Sequence, residues 1–215
     1  MGYSTMTVID NVQGFTSSPD GVGNNYLAKI MVASGKLASP DLNRGNISSV
    51  KVQAFGDTVT FTGCDSYRLI EITVDMPNAG EWVSLPNGKQ FAKASSFVKG
   101  QGTATFILAD NQLVISSGKG SVNVDDLAPY LSTVYPNVEQ LFNYGLADSG
   151  WPETTVNYNG NLLGETLSLM ADIVDHGGKG STGGHVTIER LVPRAIITAE
   201  RDGIKVRATL MPLRK

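Results

Sequence analysis

The chain has 215 residues, enough for one large domain or two small ones. Hydrophobic residues make up 41% and mean hydropathy is -0.05, which supports a folded core and excludes a disordered chain. The net charge of -3, from 17 Lys+Arg and 20 Asp+Glu, excludes a chain that is basic throughout but allows a local basic face. One cysteine, Cys64, excludes an intrachain disulfide framework and a cysteine-rich zinc site. Two histidines, His176 and His185, leave little for metal or acid–base chemistry. No apolar run approaches the ~18 residues of a membrane span, and the first residues lack the basic and apolar regions of a secretory signal. The expectation is a soluble protein of a reducing, cytoplasmic compartment, with no cofactor and no membrane partner.

In chain order, residues 5–10 read as a short strand and 12–24 as a Gly/Ser/Pro-rich loop. Asn24 or Asn25 is placed to cap a helix to about Lys36, with Leu27, Ile30, Met31 and Leu37 as its apolar stripe. Residues 50–55, 58–62 and 68–74 alternate and are rich in β-branched side chains, with Gly56-Asp57 as a turn between the first two. Asn87-Gly88 opens a second helix that ends near Gly100, with Phe91, Ala94, Phe97 and Val98 inward. Strands follow at 103–108, 112–116 and 120–124, with Ala109-Asp110-Asn111 as a tight turn. Residues 154–157 read as a strand and 159–175 as a third helix, on a stripe of Leu162, Leu163, Thr166, Leu169, Met170 and Ile173. The last strands are 186–191, 195–200 and 204–210, the final pair joined by Arg201-Asp202-Gly203. One pattern of strand, helix and three strands thus returns three times, about 70 residues apart. The fold class expected is α+β, with helices laid on antiparallel sheets.

Charge is unevenly placed. The first two helices carry Lys29, Lys36, Lys89, Lys93 and Lys99 and no acid, as suits a surface facing a polyanion without reading its sequence. The third helix carries Glu165, Asp172 and Asp175 and runs against that pattern. Gly178-Lys-Gly-Ser-Thr182 lacks the order of a phosphate loop and follows a helix, so it reads as a connector. Trp82 and Trp151 read as packing residues.

Three short segments point further. Phe61-Thr-Gly-Cys-Asp-Ser-Tyr-Arg-Leu-Ile70 resembles the signature Ala-Thr-Asp-Gly-His-Arg-Leu of bacterial β sliding clamps. In it Asp65, Arg68 and Leu69 match, while Cys64, Ser66 and Tyr67 replace Thr, Gly and His. Tyr135-Pro-Asn-Val-Glu-Gln-Leu-Phe142 resembles the family's Phe-Pro-Asp-Tyr-x-x-Val, and Leu210-Met-Pro-Leu-Arg-Lys215 resembles its terminal Met-Pro-Met-Arg-Leu. Their order and separation fit the family's plan. The resemblance implies a clamp domain over 1–142, like the middle domain of β clamps, and an abbreviated second one over 143–215. In length the chain is closer to the two-domain clamps of some phages and of eukaryotes than to bacterial ones, which would fit a phage origin.

The resemblance also implies a function. Such clamps encircle double-stranded DNA and tether the replicative polymerase as processivity factors, without catalysis. Polymerase and clamp loader insert a short linear peptide into an outer hydrophobic pocket. Carried onto this chain, the pocket comprises Cys64, Ser66, Tyr67, Arg68 and Leu69; Pro136, Gln140 and Leu141; and Thr209, Leu210, Met211, Pro212, Leu213 and Arg214. Arg68 and Tyr67 would orient polar groups of the peptide, and Gln140 stands where a basic residue is common. The DNA-facing set would be Lys29, Lys36, Lys89, Lys93 and Lys99, with Arg44 in a nearby loop. A two-domain chain closes its ring as a homotrimer. The alternatives are a clamp-like adaptor that binds peptides without forming a ring, and a β-rich structural protein.

Overall fold

The computed structural model describes residues 13–17, 23–127, 135–143, 157–175, 184–190 and 194–212. The strand expected at 5–10, Trp151, His176, the Gly-rich connector before Gly184, and Leu213 and Arg214 lie outside them, as does all but the last residue of the strand expected at 154–157.

Helix α1 is Asn24–Leu37, and its expected stripe is buried: Leu27, Ile30, Met31 and Leu37 are fully inaccessible. Its N-cap is Gly23, with no side-chain cap, so the capping role expected of Asn24 or Asn25 is not taken. Asn24 instead accepts from Ser17 Oγ and donates to the Gln101 carbonyl at 2.7 Å. Asn25 Oδ1 accepts from the Gly100 N–H at 3.1 Å. Both side chains tie the helix start to distant loops. A 3₁₀ segment, Leu42–Ser48, then leads into the strands.

Strand β2 is Lys51–Cys64 and β3 is Arg68–Ser84, paired antiparallel along almost their whole length. Gly56-Asp57 is therefore not a turn: it is where the register shifts within one long strand, and the chain reverses at Asp65-Ser66-Tyr67. A bulge lets one strand bend without leaving its ladder. Helix α2 is Gly88–Val98, capped by Asn87 Oδ1 accepting from Gln90 N–H at 3.1 Å. Strands β4 (Ala104–Ala109), β5 (Gln112–Ser117) and β6 (Gly120–Asp125) follow as expected. Asp110 and Asn111 have φ of 48° and 59°, the left-handed pair that a two-residue hairpin requires. Helices α3 (Val138–Asn143) and α4 (Gly160–Val174) precede β7 (Thr187–Arg190), β8 (Ala195–Arg201) and β9 (Ile204–Leu210).

The expected loop at 12–24 contains β1, Gln13–Ser17. β1 does not pair with the strands that follow its own helix. It pairs with β4, giving a sheet ordered β1-β4-β5-β6, while the second sheet is β2-β3-β9-β8-β7. The three units are thus interlocked: the first lends a strand to the second, and the third continues the sheet of the first. Phe15 of β1 stacks on Phe106 at 4.4 Å between ring centroids and on Trp82 at 5.9 Å, and meets Phe61 edge-on at 6.5 Å. Each such pair adds about 0.5–1.5 kcal/mol beyond burial, so this cluster joins the two sheets.

All three long helices lie on one side. α1 is central and antiparallel to both neighbours. Asn25 meets Gly100 and Gly35 meets Ala92 across to α2, while Tyr26 and Lys29 reach the carbonyls of Asp175 and Asp172 on α4. Along β3 the even positions Ile70, Ile72 and Val74 face this helix layer, as do Val206, Ala208 and Leu210 of β9. The odd positions face outward, where Leu69 joins a second, smaller cluster.

Candidate functional site

The register of β3 with β9 assembles the first site. Arg68 is opposite Leu210 and Leu69 opposite Thr209, and the Met211 N–H donates to the Tyr67 carbonyl at 2.8 Å. Two segments some 140 residues apart in sequence thus become neighbours. On the outward face Cys64, Leu69 and Phe142 form a buried cluster, with Ile47, Val138, Leu141 and Ile196 half-buried around it. Tyr67 and Met211 stand exposed at the rim, 60% and 40% accessible. Pro136 and Pro212 are half-buried, and Ser66 and Gln140 are exposed. Thr209 is buried with its Oγ1 unpartnered. The structure therefore brings together Cys64, Leu69, Leu141 and Thr209 from three segments.

Arg68 and Leu210 are placed differently. Both lie on the helix-facing side of the sheet, and Leu210 belongs to the main core. Arg68 is 7% exposed. Its Nε and Nη2 donate to Asp65 Oδ2 at 3.1 and 2.9 Å, and its Nη1 donates to Glu165 Oε2 of α4 at 2.7 Å. Burial works against its charge, but its hydrogen bonds to Glu165 and Asp65 outweigh it and its pKa is raised. The guanidinium thus ties the β2–β3 turn to α4 and does not face the outer pocket, so the expected peptide-orienting role does not fit its placement. This contact also accounts for one acid of the third helix: Glu165 serves Arg68.

α3 was not foreseen as a helix. Asn137 Oδ1 accepts from the Gln140 N–H at 3.0 Å, so an asparagine cap just after Pro136 and the spacing of Val138, Leu141 and Phe142 were the available signal.

Burial, and secondarily Asp65, push the Cys64 thiol up to about 11. Burial, with Cys64 second, pushes the Tyr135 hydroxyl up as well, and that hydroxyl donates to the Thr62 carbonyl at 2.9 Å. The folded chain therefore holds the Cys64 proton more tightly than the unfolded chain. That contribution is complete below the ordinary thiol pKa of 9.0 and is lost as pH rises toward about 11. This rise corresponds to about 3 kcal/mol. Urea unfolding between pH 8 and 10.5 is expected to show this decline in the native chain and a smaller one in Cys64→Ala. Equal slopes would show that folding leaves the thiol's pKa unchanged.

The second site is the helix layer. Lys36, Lys89, Lys93 and Lys99 are exposed on it, as expected. Lys29 is half-buried, its Nζ donating to the Asp172 carbonyl at 2.7 Å. A cation there suits the negative end of α4. Arg44 is exposed in the 3₁₀ segment, whose Ile47 packs beside Leu69 and Cys64, so its element borders the outer cluster as well. Lys119, not singled out from the sequence, sits at the β5–β6 turn and donates to the Ser96 and Lys99 carbonyls at 2.8 and 2.9 Å.

Among the described residues no three His, Cys, Asp or Glu side chains come together to hold a metal, and no helix is long and apolar enough to cross a membrane.

This arrangement, helices on one side of interlocked antiparallel sheets, is an α+β architecture shared with known structures. A DNA polymerase III beta subunit from Eubacterium rectale matches 98% of this chain and 68% of its own, with a TM-score of 0.61 at 12% identity. A DNA polymerase sliding clamp from Pseudomonas aeruginosa matches 94% of this chain and 67% of its own, with a TM-score of 0.61 at 11% identity. A DNA polymerase III beta subunit of the same organism, bound to griselimycin, matches 98% and 68%, with a TM-score of 0.55 at 11% identity. The chain thus spans about two thirds of the length of these clamps. No family model and no curated protein matches the sequence. The chain has the sliding-clamp fold.

Proposed function

We propose that the chain is a sliding clamp that encircles double-stranded DNA and tethers a replicative polymerase through a short peptide bound in its outer pocket. The observation that carries this reading is the separation of two surfaces by one sheet. The β2–β3 turn, α3 and the end of β9 converge on its outward side, while Lys36, Lys89, Lys93 and Lys99 stand exposed on the helix side. A face that binds phosphates without base readout suits a ring that slides. The pocket is apolar with an adaptable Met211 at its rim, which suits several peptide partners. The chain acts by binding, not catalysis, in the cytoplasm. Residues 1–142 form one clamp domain and 143–215 an abbreviated second, and copies close head to tail as a homotrimer.

The test has two arms. Light scattering is expected to give a fixed mass of three times 22.8 kDa across concentration, and the ring should be retained on closed circular DNA but not on linear DNA. Griselimycin, the ligand of one matched structure, should bind. A persistent monomer that binds griselimycin would replace the ring by the adaptor reading. A monomer that binds neither would refute both.

A further inference from the structure

Resting on the pocket reading above, we propose that Arg207 is a positioning residue that sets the pocket's affinity by latching α3 to the outward face of the sheet. α3 has six residues, far too few to persist as a helix in water by itself. Its place depends on what holds it. Phe142 is buried, while Val138 and Leu141 are only half-buried, so apolar contact covers one side of a single turn.

Arg207 supplies the rest. It stands at an outward position of β9, opposite Glu71 of β3 and Thr198 of β8. Its Nε donates to Glu71 Oε1 at 2.6 Å. Its Nη2 donates to Glu139 Oε1 in the first turn of α3, and its guanidinium lies over the Phe142 ring, 4.3 Å from the centroid. One side chain thus holds the sheet, the start of the helix and an aromatic near its end. A planar fork makes these contacts together; a lysine ammonium cannot. Glu71 and Arg207 are 14% and 33% exposed, so this part of the network is shielded from water, whereas Glu139 is 64% exposed. Two lesser ties act on the same segment: the Tyr135 hydroxyl on the Thr62 carbonyl, and Arg194 Nη1 donating to the Leu141 carbonyl at 3.3 Å. Leu141 of α3 and Pro136 just before it are the wall that this segment contributes to the pocket. If α3 lifts, Cys64, Leu69 and Ile196 lose their cover and the groove changes shape. Arg207 acts through this wall, by way of Glu139 and Phe142.

Arg207→Met, Arg207→Lys and Glu139→Gln should be compared with the native chain by hydrogen exchange over residues 138–143 and by calorimetric titration with griselimycin. Arg207→Met is expected to speed exchange in α3 and weaken binding, each by about tenfold, with a smaller effect on the global unfolding midpoint. Glu139→Gln, a surface change that leaves the core intact, and Arg207→Lys should fall between. Unchanged exchange in α3, or unchanged griselimycin affinity in a native chain that binds it, would overturn the positioning role. A native chain that binds no griselimycin would overturn the pocket reading, and Arg207's role with it, whatever α3 does.

Discussion

Gly63→Leu is expected to leave the chain unfolded, and Gly63→Ala to cost about 3 kcal/mol or more. Gly63 is an inward position of β2, directly beneath α1. A Cβ there would lie 2.1 Å from the Ser34 carbonyl oxygen and 3.0 Å from its Cα. These are backbone atoms in the middle of a helix, with Ser34 fully buried, so neither side can yield by rotating a side chain. α1 cannot slide away sideways either. A Cβ at Gly35 would meet the Gly88 carbonyl at 2.5 Å, and one at Gly88 would meet the Ala38 methyl at 2.3 Å, so α1 and α2 are already at closest approach. Overpacking of a well-filled core costs about 1–3 kcal/mol and more where backbone must move. A domain has only about 5–15 kcal/mol to lose. Urea unfolding followed by circular dichroism measures this directly. Gly102→Ala is the control: nothing lies within 4 Å of its added methyl, and a change within about 0.5 kcal/mol is expected. An unshifted midpoint for Gly63→Ala would mean that α1 does not sit where the structure places it.

Arg68→Met has the second largest expected effect, a loss of about 2–3 kcal/mol. It keeps the apolar stem and removes the charge that Asp65 and Glu165 share. Breaking one partner of a buried ion pair costs about 3–5 kcal/mol. Here the loss is smaller, because Asp65 and Glu165 are 19% and 47% exposed and regain some water. Glu165→Gln should cost less, since Arg68 keeps both bonds to Asp65. The double variant should show coupling of about 1 kcal/mol between the two positions. Because Arg68 faces the helix layer, griselimycin affinity should follow the fold and not fall further. A selective loss of binding in a fully folded Arg68→Met would instead return Arg68 to the pocket.

Much of this was visible in the residues. Period-3.6 stripes located α1, α2 and α4 to within a residue or two, since an amphipathic face is a local property. The Asp110-Asn111 and Asp202-Gly203 reversals were equally clear, because the turn itself demands those residues. The three short segments that resembled those of a clamp pointed to the fold that the matched clamps share at 11–12% identity. Parity could also have placed Arg68. Ile70, Ile72 and Val74 are inward, so Arg68 shares their side, whereas Leu69 points out with the pocket.

By itself, then, the sequence determined the helices, the hairpins and the chemical character of each face, because these depend on neighbours within a few residues. It could not decide strand partners. β1 was hidden in a Gly/Ser-rich stretch because its stability comes from β4, about 90 residues away, and from Phe15 packing on Phe106 and Trp82. Whether Gly56-Asp57 is a turn or a bulge depends on whether β3 extends far enough to pair beyond it. That β9 lies against β3, which brings the pocket's segments together, is likewise a matter of register between distant strands. The tertiary structure alone settles such questions, since a ladder's hydrogen bonds and the burial of its faces are formed only when both strands are in place.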